Sequence, residues 1–370
     1  MSPDPADPQS GAPVSAETLL ASAATVSARV PGRTEMAIRD LFRAEHDRID
    51  DHVRTAFAHQ LRRIVETVTI ELIAFAGRSL AAAGHPEIAL ALTEGRAPYD
   101  LLVAHDLLCD ADLVAELLGR IELDAIADRL PGAANDDPDR PSLLARLVEH
   151  PDRIVGNAAR ALLAADSRRR DAQEGYPIAH SDLSAESQHR LTWQVAAALR
   201  VRGAGDDREA LAALDRALAD SVRRSLRAYD EGDRIEAAAM RMASALDTSA
   251  TDLADLLLGT LGDRRIALFV AILARALGSD YAAVRGLVLD RHGDRLWVAL
   301  RALDLPRAAI AQIGFVLSEA DPHRDLDQFV DRIDPAMTLA PADAAAALTI
   351  LRTDPVYREA VGILTRARLA

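Results

Sequence analysis

The sequence predicts an all-α protein built from stacked antiparallel helix pairs, of the α-solenoid or HEAT-like kind. Alanine and leucine, which lose little side-chain entropy in a helix, supply 125 of the 370 residues, and aromatic residues supply 4%. Apolar residues recur at spacings of three and four along most of the chain. After residue 84, short periodic stretches alternate with Gly, Pro and Asp turns, a pattern typical of stacked helix pairs.

The first 83 residues predict a tail followed by long helices. Residues 1–14 are rich in proline, aspartate and small residues, so we expect a disordered tail. From 34 to 83 we expect one long helix or two consecutive helices. The segment 61–76 contains many β-branched residues, which would allow a strand. Its apolar residues nevertheless hold the period of a helix: Leu61, Ile64, Val65, Val68, Leu72 and Phe75.

The clearest helix pair covers residues 142–165. Two apolar stripes lie on either side of a His150-Pro151-Asp152 turn, and alanines occupy the expected helix contact. This pair resembles a HEAT-type repeat, although Gly156 stands where such repeats often carry arginine. The preceding stretch predicts short helices at 98–108, 110–119, 121–130 and 141–149, with a solvent loop at 131–141.

The second half of the chain predicts a connector and a series of helices. We expect the connector at Arg168–Pro177, with Ser184 as the N-cap of the helix that follows. In the helix at 325–333, the apolar residues Leu326, Phe329, Val330 and Ile333 are expected to face inward. The helices are expected at 184–201, 207–228, 233–246, 250–260, 264–277, 280–289, 292–303, 306–319, 325–333, 342–352 and 355–367. We therefore divide the chain into an N-terminal helical region, 15–175, and a C-terminal helical-repeat region, 176–370.

Composition excludes several classes of function. All 43 basic residues are arginine, so P-loop NTPases, protein kinases and pyridoxal-phosphate enzymes, which each need a lysine, are excluded. The 57 acidic residues give a net charge of −14, spread evenly, which disfavours nucleic acid and anionic membranes as partners. Cys109 is the single cysteine, which excludes an internal disulfide and Cys-rich zinc sites.

The sequence also bears on location. The N-terminus has neither the basic nor the apolar region of a secretory signal. The longest apolar run, Ile266–Ala274, is about half of the ~20 residues that a membrane span needs. We therefore expect a soluble, cytoplasmic protein.

Histidines and aspartates crowd one predicted helix. His46 and Asp50 are spaced i,i+4 and could face one metal ion, whereas His52 and His59 lie on another part of the surface. A zinc site needs at least three converging ligands, so a solvated acidic helix face is favoured over a metal site. The full set is His46, Asp47, Asp50, Asp51, His52 and His59.

Arginines of the helix at 207–228 could bind an anion. They are Arg216, Arg223, Arg224 and Arg227. Asp220, however, lies i+4 from Arg216 and i−4 from Arg224, so an exposed helix supported by ion pairs is favoured. The short runs Arg264-Arg265 and Arg168–Arg170 have the same interpretation.

The two tryptophans, Trp193 and Trp297, are predicted to be core anchors, with an interface hot spot as the alternative. Cys109, which follows two leucines, is predicted to be a small buried residue. His105, at i−4, could reach it and form a Cys–His pair, but no third orienting group is evident. We therefore assign no catalytic, cofactor-binding or metal-binding residue.

Two segments resemble the alphaproteobacterial domain-of-unknown-function 2336 family. They are DLSAESQHRLTWQVAAALR (182–200) and the run at 253–306, with Gly262-Asp263 followed by Leu268-Phe269. In the first segment the resemblance lies in Leu191, Trp193 and Ala196–Arg200. It covers about 80–310 and implies a helical protein with no established activity and no functional residues to carry over.

Taken together, the sequence favours a non-catalytic cytoplasmic scaffold or regulatory module that binds another protein on a helical-repeat surface. No cofactor is expected, and neither the partner nor the oligomeric state can be named. Two alternatives remain. One is a helical protein that binds nucleic acid or an anionic ligand, and the other is an enzyme with an unrecognised helical active site.

Overall fold

A computed structural model describes most of the chain after residue 50. The described residues are 16, 51–94, 97–132, 141–173, 181–203, 207–246 and 250–369. Within them the chain forms 17 α-helices and two short 3₁₀ helices, and no strand. The all-α prediction is confirmed, whereas the stacking of helix pairs into a solenoid stays a prediction.

The described residues fall into two compact units. The central unit contains 51–94, 97–124, 141–173, 181–203 and 207–246, and the C-terminal unit contains 125–132 and 250–369. The boundary that the sequence predicts between residues 175 and 176 stays a prediction, because compact packing alone does not show which segment folds independently.

Nine helices begin in the central unit. They are α1 (Asp51–Ala82), α2 (Pro86–Ala91), α3 (Pro98–Ala104), α4 (Ala111–Arg129), α5 (Leu143–Val148), α6 (Arg153–Gln173), α7 (Ala185–Gly203), α8 (Arg208–Ala228) and α9 (Ile235–Ala245). Polar side chains cap the first turns of several of them: the Ser142 hydroxyl accepts from the Ala145 amide, and the Asp207 carboxylate accepts from the Glu209 amide.

Eight helices form the described part of the C-terminal unit. They are α10 (Ala250–Gly262), α11 (Ile266–Leu277), α12 (Tyr281–Val288), α13 (Asp294–Ala302), α14 (Arg307–Ala320), α15 (Leu326–Thr338), α16 (Pro341–Ala347) and α17 (Pro355–Leu369). A left-handed Gly278, with a φ of 64°, ends α11, where a glycine has no Cβ to strain.

Two predicted boundaries are wrong. Residues 111–129 form one helix rather than two, because Arg120, where we expected a break, is buried inside α4 with its charge neutralised. The expected connector at Arg168–Arg170 belongs to α6, which runs to Gln173. The 142–165 helix pair is present as α5 and α6, which pack on each other.

The core of the central unit forms around α1. This helix packs against α2, α3, α7 and α8, and its predicted apolar stripe is buried apart from Phe75, which is half-buried. The hydroxyl of Ser221 on α8 donates to the Leu72 carbonyl of α1 at 3.0 Å, inside this core. The helical interpretation of residues 61–76 is therefore confirmed.

The core of the C-terminal unit is formed by α11 and α13. Nine of the twelve residues of α11 are buried, and α13 packs against α15 and α16. On α15, Phe329 and Ile333 are buried as predicted, but Leu326 and Val330 are exposed, so their inward orientation is wrong. Helix α15 therefore buries only part of the apolar face that its sequence predicts.

Membrane-span criteria are not met by any single helix among the residues that the structure describes. Helices α11 and α12 reach the required length and apolar character only jointly, and they are bent by 115° relative to each other.

Candidate functional site

The segment that leads into α7 has an unusual backbone. Asp182 adopts a left-handed conformation with a φ of 57°, which aspartate tolerates better than most residues. Ser184 caps α7 as predicted, accepting a hydrogen bond from the Ser187 amide at 3.3 Å. Both the amide and the hydroxyl of Ser184 also donate to Glu116 of α4, at 3.1 and 3.0 Å. The start of α7 is thus tied to α4.

A buried group of charges surrounds this segment, and we call it the anchor cluster: Glu116, Arg120, Arg234, Glu236 and the carbonyl of Asp182. Arg120 Nε donates to Glu236 Oε1 at 3.0 Å, and Nη2 donates to Glu116 Oε1 at 3.3 Å. Nη2 also donates to the Asp182 carbonyl at 2.6 Å. One arginine side chain, 1% exposed, therefore joins α4, α9 and the start of α7.

The second arginine of the anchor cluster reinforces the same contacts from the turn before α9. Arg234 Nη2 donates to Glu116 Oε1 at 2.6 Å, and Nε donates to the Asp182 carbonyl at 3.2 Å. Its Nη1 donates to Glu231 at 2.7 Å. The Asp182 carbonyl thus accepts hydrogen bonds from two guanidinium groups, which explains how its strained backbone is held.

The ionisation of the anchor cluster follows from its burial and pairing. Burial alone would raise the pKa of Glu236, but Arg120 and Arg234 outweigh it and lower that pKa to about 2. Burial alone would lower the pKa of Arg120, but Glu236, Asp182 and Glu116 raise it. Burial raises the pKa of the Asp182 carboxyl, despite the opposing effect of Arg120. Glu236 and Arg120 are therefore a buried ion pair at neutral pH.

Further contacts extend the anchor cluster on two sides. Arg169 Nη2 pairs with Asp124 at 2.5 Å and contacts the Arg120 carbonyl at 3.4 Å. The Tyr229 hydroxyl donates to the Leu183 carbonyl, and burial raises the pKa of Tyr229 to about 12. Arg169 thus ties α6 to α4, and Tyr229 holds the segment that leads into α7.

An open groove lies along the exposed face of α7, immediately beyond this anchor. Its volume is about 790 Å³ and its surface is mainly apolar. The groove residues are Leu107, Ala185, Glu186, His189, Arg190, Trp193, Gln194 and Ala197. Gln194 donates to the Leu107 carbonyl at 2.9 Å, and Arg190 pairs with Asp110, so the turn after α3 is held against α7. We call this surface the α7 groove.

Trp193 lies in the α7 groove, and its predicted core position is wrong. The side chain is 38% exposed, with the His189 ring centroid 6.5 Å from its own. Helix α7 buries the face that carries Leu191, Val195 and Leu199, and Trp193 projects from a different face. The interface alternative is the one compatible with this position.

Trp297 is the core anchor that the sequence predicts. It is 3% exposed and packs against Phe329 with ring centroids 4.9 Å apart. Gly314 of α14 makes room for both rings, since a Cβ there would lie 2.1 Å from Phe329 and 2.6 Å from Trp297.

The predicted metal candidates do not converge in the part of the chain that the structure describes. His46, Asp47 and Asp50 lie outside the described residues. His52 and His59 are exposed on α1, and Asp51 pairs with Arg54 at 3.2 Å. No group of three His, Cys, Asp or Glu side chains that could hold a metal occurs among the described residues.

The arginines of α8 are exposed, as predicted, but their partners differ. Asp220 pairs with Arg223 at 2.9 Å, so the predicted pairing of Asp220 with Arg216 and Arg224 is wrong. Arg224 lies over the Phe75 ring at 5.0 Å, and Arg216 donates to the carbonyl of Ala212.

The remaining arginine runs also hold parts of the structure. Arg168 donates to the Asp233 carbonyl at 2.9 Å, and Arg170 pairs with Asp166 on its own helix. Arg264 and Arg265 form the turn between α10 and α11, with Arg264 at a φ of 57°. The ion pair of Arg170 with Asp166 agrees with the predicted support of a helix by ion pairs, and Arg168 additionally contacts the turn before α9.

Cys109 and His105 do not have the i,i+4 helical relation that we expected. Helix α3 ends at Ala104, and the turn that follows carries both residues. His105 is exposed, while Cys109 is half-buried with its thiol 3.7 Å from Asp106 Oδ1. The prediction of a buried Cys109 is therefore wrong, because the residue is only partly buried.

Sequence reasoning missed the anchor cluster, although signals for it exist. Glu116 and Arg120 are an i,i+4 pair within an otherwise apolar stretch of α4, which indicates a buried ion pair. The tripeptide Gly-Asp-Arg also occurs three times, at 232–234, 262–264 and 293–295, each time at the start of a helix or in the turn before it. The first copy supplies Arg234 of the anchor cluster.

Comparison with known protein families identifies one family. The family model of uncharacterised proteins conserved in bacteria, DUF2336, matches residues 105–348. The chain belongs to this family, while its restriction to alphaproteobacteria stays a prediction. No curated protein and no solved structure matches the chain.

Proposed function

We propose that this chain is a non-catalytic helical module that binds another protein at the α7 groove. The observation that carries the proposal is the half-exposed Trp193 in a mainly apolar groove. Tryptophan is enriched among residues that dominate binding energy at protein interfaces, and contiguous apolar surface on a folded protein commonly marks such an interface.

The anchor cluster supports this proposal because it ties the start of α7, at one end of the groove, to α4 and α9. Arg120 and Arg234 hold the segment before α7, and Ser184 caps the helix against Glu116. A preformed surface loses less conformational entropy when it binds a partner than a mobile one does. We also propose that the protein is cytoplasmic. We further propose that helix pairs such as α5 and α6 stack as HEAT-like repeats.

The two alternative functions have less support. On α8, Arg223 is engaged by Asp220 and Arg224 by Phe75, which reduces their availability to nucleic acid or another anion. The carboxyl groups with altered pKa, Glu236 and Asp182, belong to the anchor cluster and do not line the α7 groove. An active site would need such groups at a cavity that a substrate can enter.

Site-specific photo-crosslinking in living cells tests the proposal. A photo-reactive residue at Ala197, in the groove, is expected to give a discrete crosslinked protein that mass spectrometry identifies. The matched control is Ala212, an equally small exposed residue on α8, which is expected to give none. Adding Trp193→Ala should abolish the crosslink at Ala197. Equal crosslinking at both positions, or none at Ala197, would contradict the proposal.

A further inference from the structure

We propose that the partner at the α7 groove is a second copy of this chain, bound with its α7 antiparallel to the first. This inference rests on the proposed function, since both assign the groove to protein binding. It begins from the spacing of five exposed or half-exposed residues of α7, which we call the α7 seam: Glu186, Arg190, Trp193, Ala197 and Arg200. The intervals of four, three, four and three residues are those of a helix that packs along another helix.

The charges at the ends of the α7 seam make it self-complementary. Glu186 lies seven residues before Trp193, and Arg200 lies seven residues after it. A two-fold axis through Trp193 therefore places Glu186 of one copy opposite Arg200 of the other, and symmetry repeats this ion pair. The two charges are about 21 Å apart along the helix, so a parallel arrangement in register would instead oppose like charges.

The middle of the α7 seam provides the apolar contact. The two Trp193 side chains meet at the axis, and the small Ala197 faces His189 of the second copy, which leaves room for the rings. Leu107, 43% exposed, extends the apolar surface in the groove, and Val201, 62% exposed, lies eight residues after the tryptophan on the same helix. Helix pairing would cover all of these side chains at once.

Local electroneutrality favours self-association at this surface. Each copy carries a net charge of −14, so two copies repel each other unless they meet where charge is balanced. Along the seam, Arg190 is paired with Asp110, and Arg200 is paired with Asp215 at 3.0 Å. With Glu186 included, three acidic groups face two basic ones, which leaves little net charge at the contact.

Charge reversal tests this arrangement in the full-length chain. Sedimentation equilibrium should show the wild type as a dimer. Each of the variants Glu186→Arg and Arg200→Glu replaces two ion pairs by two like-charge contacts, so self-association should weaken roughly tenfold or more. The double variant E186R/R200E should restore the dimer, and the two single variants should form a mixed dimer when combined.

The matched control for Glu186→Arg is Glu71→Arg, which makes the same change of net charge at an exposed position of α1. It should leave the dimer intact, and circular dichroism should show all variants folded. A dimer that is insensitive to both single reversals, or is not restored by the double variant, would overturn this interface.

Two outcomes separate this inference from the proposed function. A wild type that is monomeric throughout the micromolar range, with crosslinking from Ala197 to a different protein, overturns the second copy as partner and supports the proposed function. A crosslink from Ala197 that joins two copies supports both. A monomer that gives no crosslink at Ala197 overturns both.

Discussion

Trp193 and Trp297 occupy similar sequences but different environments. Both lie on helices rich in alanine and leucine, yet Trp193 is 38% exposed and Trp297 is 3% exposed. Trp297 is covered because Phe329 from α15 packs on it and Gly314 from α14 leaves the space. Trp193 faces an open groove instead. The difference shows that elements distant in sequence, rather than the local pattern, decide whether a tryptophan belongs to a core or to a surface.

The two regions also stabilise their helices by different means. Around Trp297 the helices are held by close apolar packing, in which Gly314 leaves room for the rings of Trp297 and Phe329. The start of α7 is held by charge, through Arg120 and its acidic partners. Arg324 in the C-terminal unit is buried too, but burial lowers its pKa more than Asp321 and Asp290 raise it. The acidic partners of Arg120 therefore outweigh the cost of burying its charge, whereas those of Arg324 do not.

The largest expected loss of stability comes from removing the charge of Arg120 in the anchor cluster. Arg120→Met should lower the free energy of unfolding by about 3–5 kcal/mol, because Glu236 and Glu116 stay buried after losing their shared partner. Chemical denaturation followed by circular dichroism measures it. The control is Arg170→Met, which removes a half-exposed helical pair with Asp166 and should cost under about 1 kcal/mol. Equal losses would show that the anchor cluster does not stabilise the unit.

The next largest effect is a pH dependence of the free energy of unfolding that arises from Glu236 of the anchor cluster. The pKa of Glu236 is about 2 in the folded chain against 4.5 for an ordinary glutamate, so its stabilisation is complete above pH 4.5. It is lost as the pH falls toward 2, on the order of 3 kcal/mol in total. The decline in the free energy of unfolding over this window should be shallower in Glu236→Gln than in the wild type.

The pKa of Asp182 is shifted in the opposite direction to that of Glu236, so Asp182 has the opposite effect on the pH dependence of stability. Its pKa is raised above 3.8 by burial, so its protonated form stabilises the fold at low pH, and this contribution is lost as the pH rises through the folded-state pKa. Asp182→Asn should therefore steepen the loss of stability on acidification. Identical pH profiles for the wild type and both variants would argue against the ionisation states assigned to the cluster.

A third effect tests the shape-based region. Gly314→Ala places a Cβ 2.1 Å from Phe329 and should lower the free energy of unfolding by about 1–3 kcal/mol. Trp297 fluorescence in a Trp193→Phe background reports it. The matched control is Gly286→Ala on α12, where no neighbouring atom lies within 4 Å of the new Cβ. That substitution should stabilise the helix by about 0.5–1 kcal/mol, so a loss at Gly286 or no loss at Gly314 would refute the packing argument.

Most of the helices could be predicted because their signals are local. The helix predicted at 207–228 is observed at 208–228, and the one predicted at 306–319 is observed at 307–320. Periodic apolar residues and capping aspartates such as Asp207 act within a few residues, where the sequence alone is sufficient. The break predicted at Arg120 failed because its neutralising partner, Glu236, is 116 residues away.

The candidate site could be predicted only in part, for the same reason. Ser184 is predicted as a cap because a serine stands where the helix is expected to start, and its hydroxyl accepts from the Ser187 amide. The role of Arg234 depends on Glu116 and the Asp182 carbonyl, which are brought to it by tertiary packing. In a chain with 57 acidic residues and 43 arginines, single charges carry no signal for such an encounter. The recurring Gly-Asp-Arg tripeptide is the pattern that does stand above this background.

The smallest expected change in stability returns to the two tryptophans. Trp193→Ala should lower the free energy of unfolding by about 1–2 kcal/mol, less than a buried tryptophan, because 38% of the residue's surface is exposed to water. Trp297→Ala should cost about 3–5 kcal/mol, because it empties a closed slot against Phe329. Both values come from denaturation at a protein concentration low enough to keep the chain monomeric. At higher concentration Trp193→Ala should also weaken association, which a residue buried only within its own unit would not do. A large loss of monomer stability in Trp193→Ala would place this tryptophan with Trp297, as a structural residue rather than a binding one.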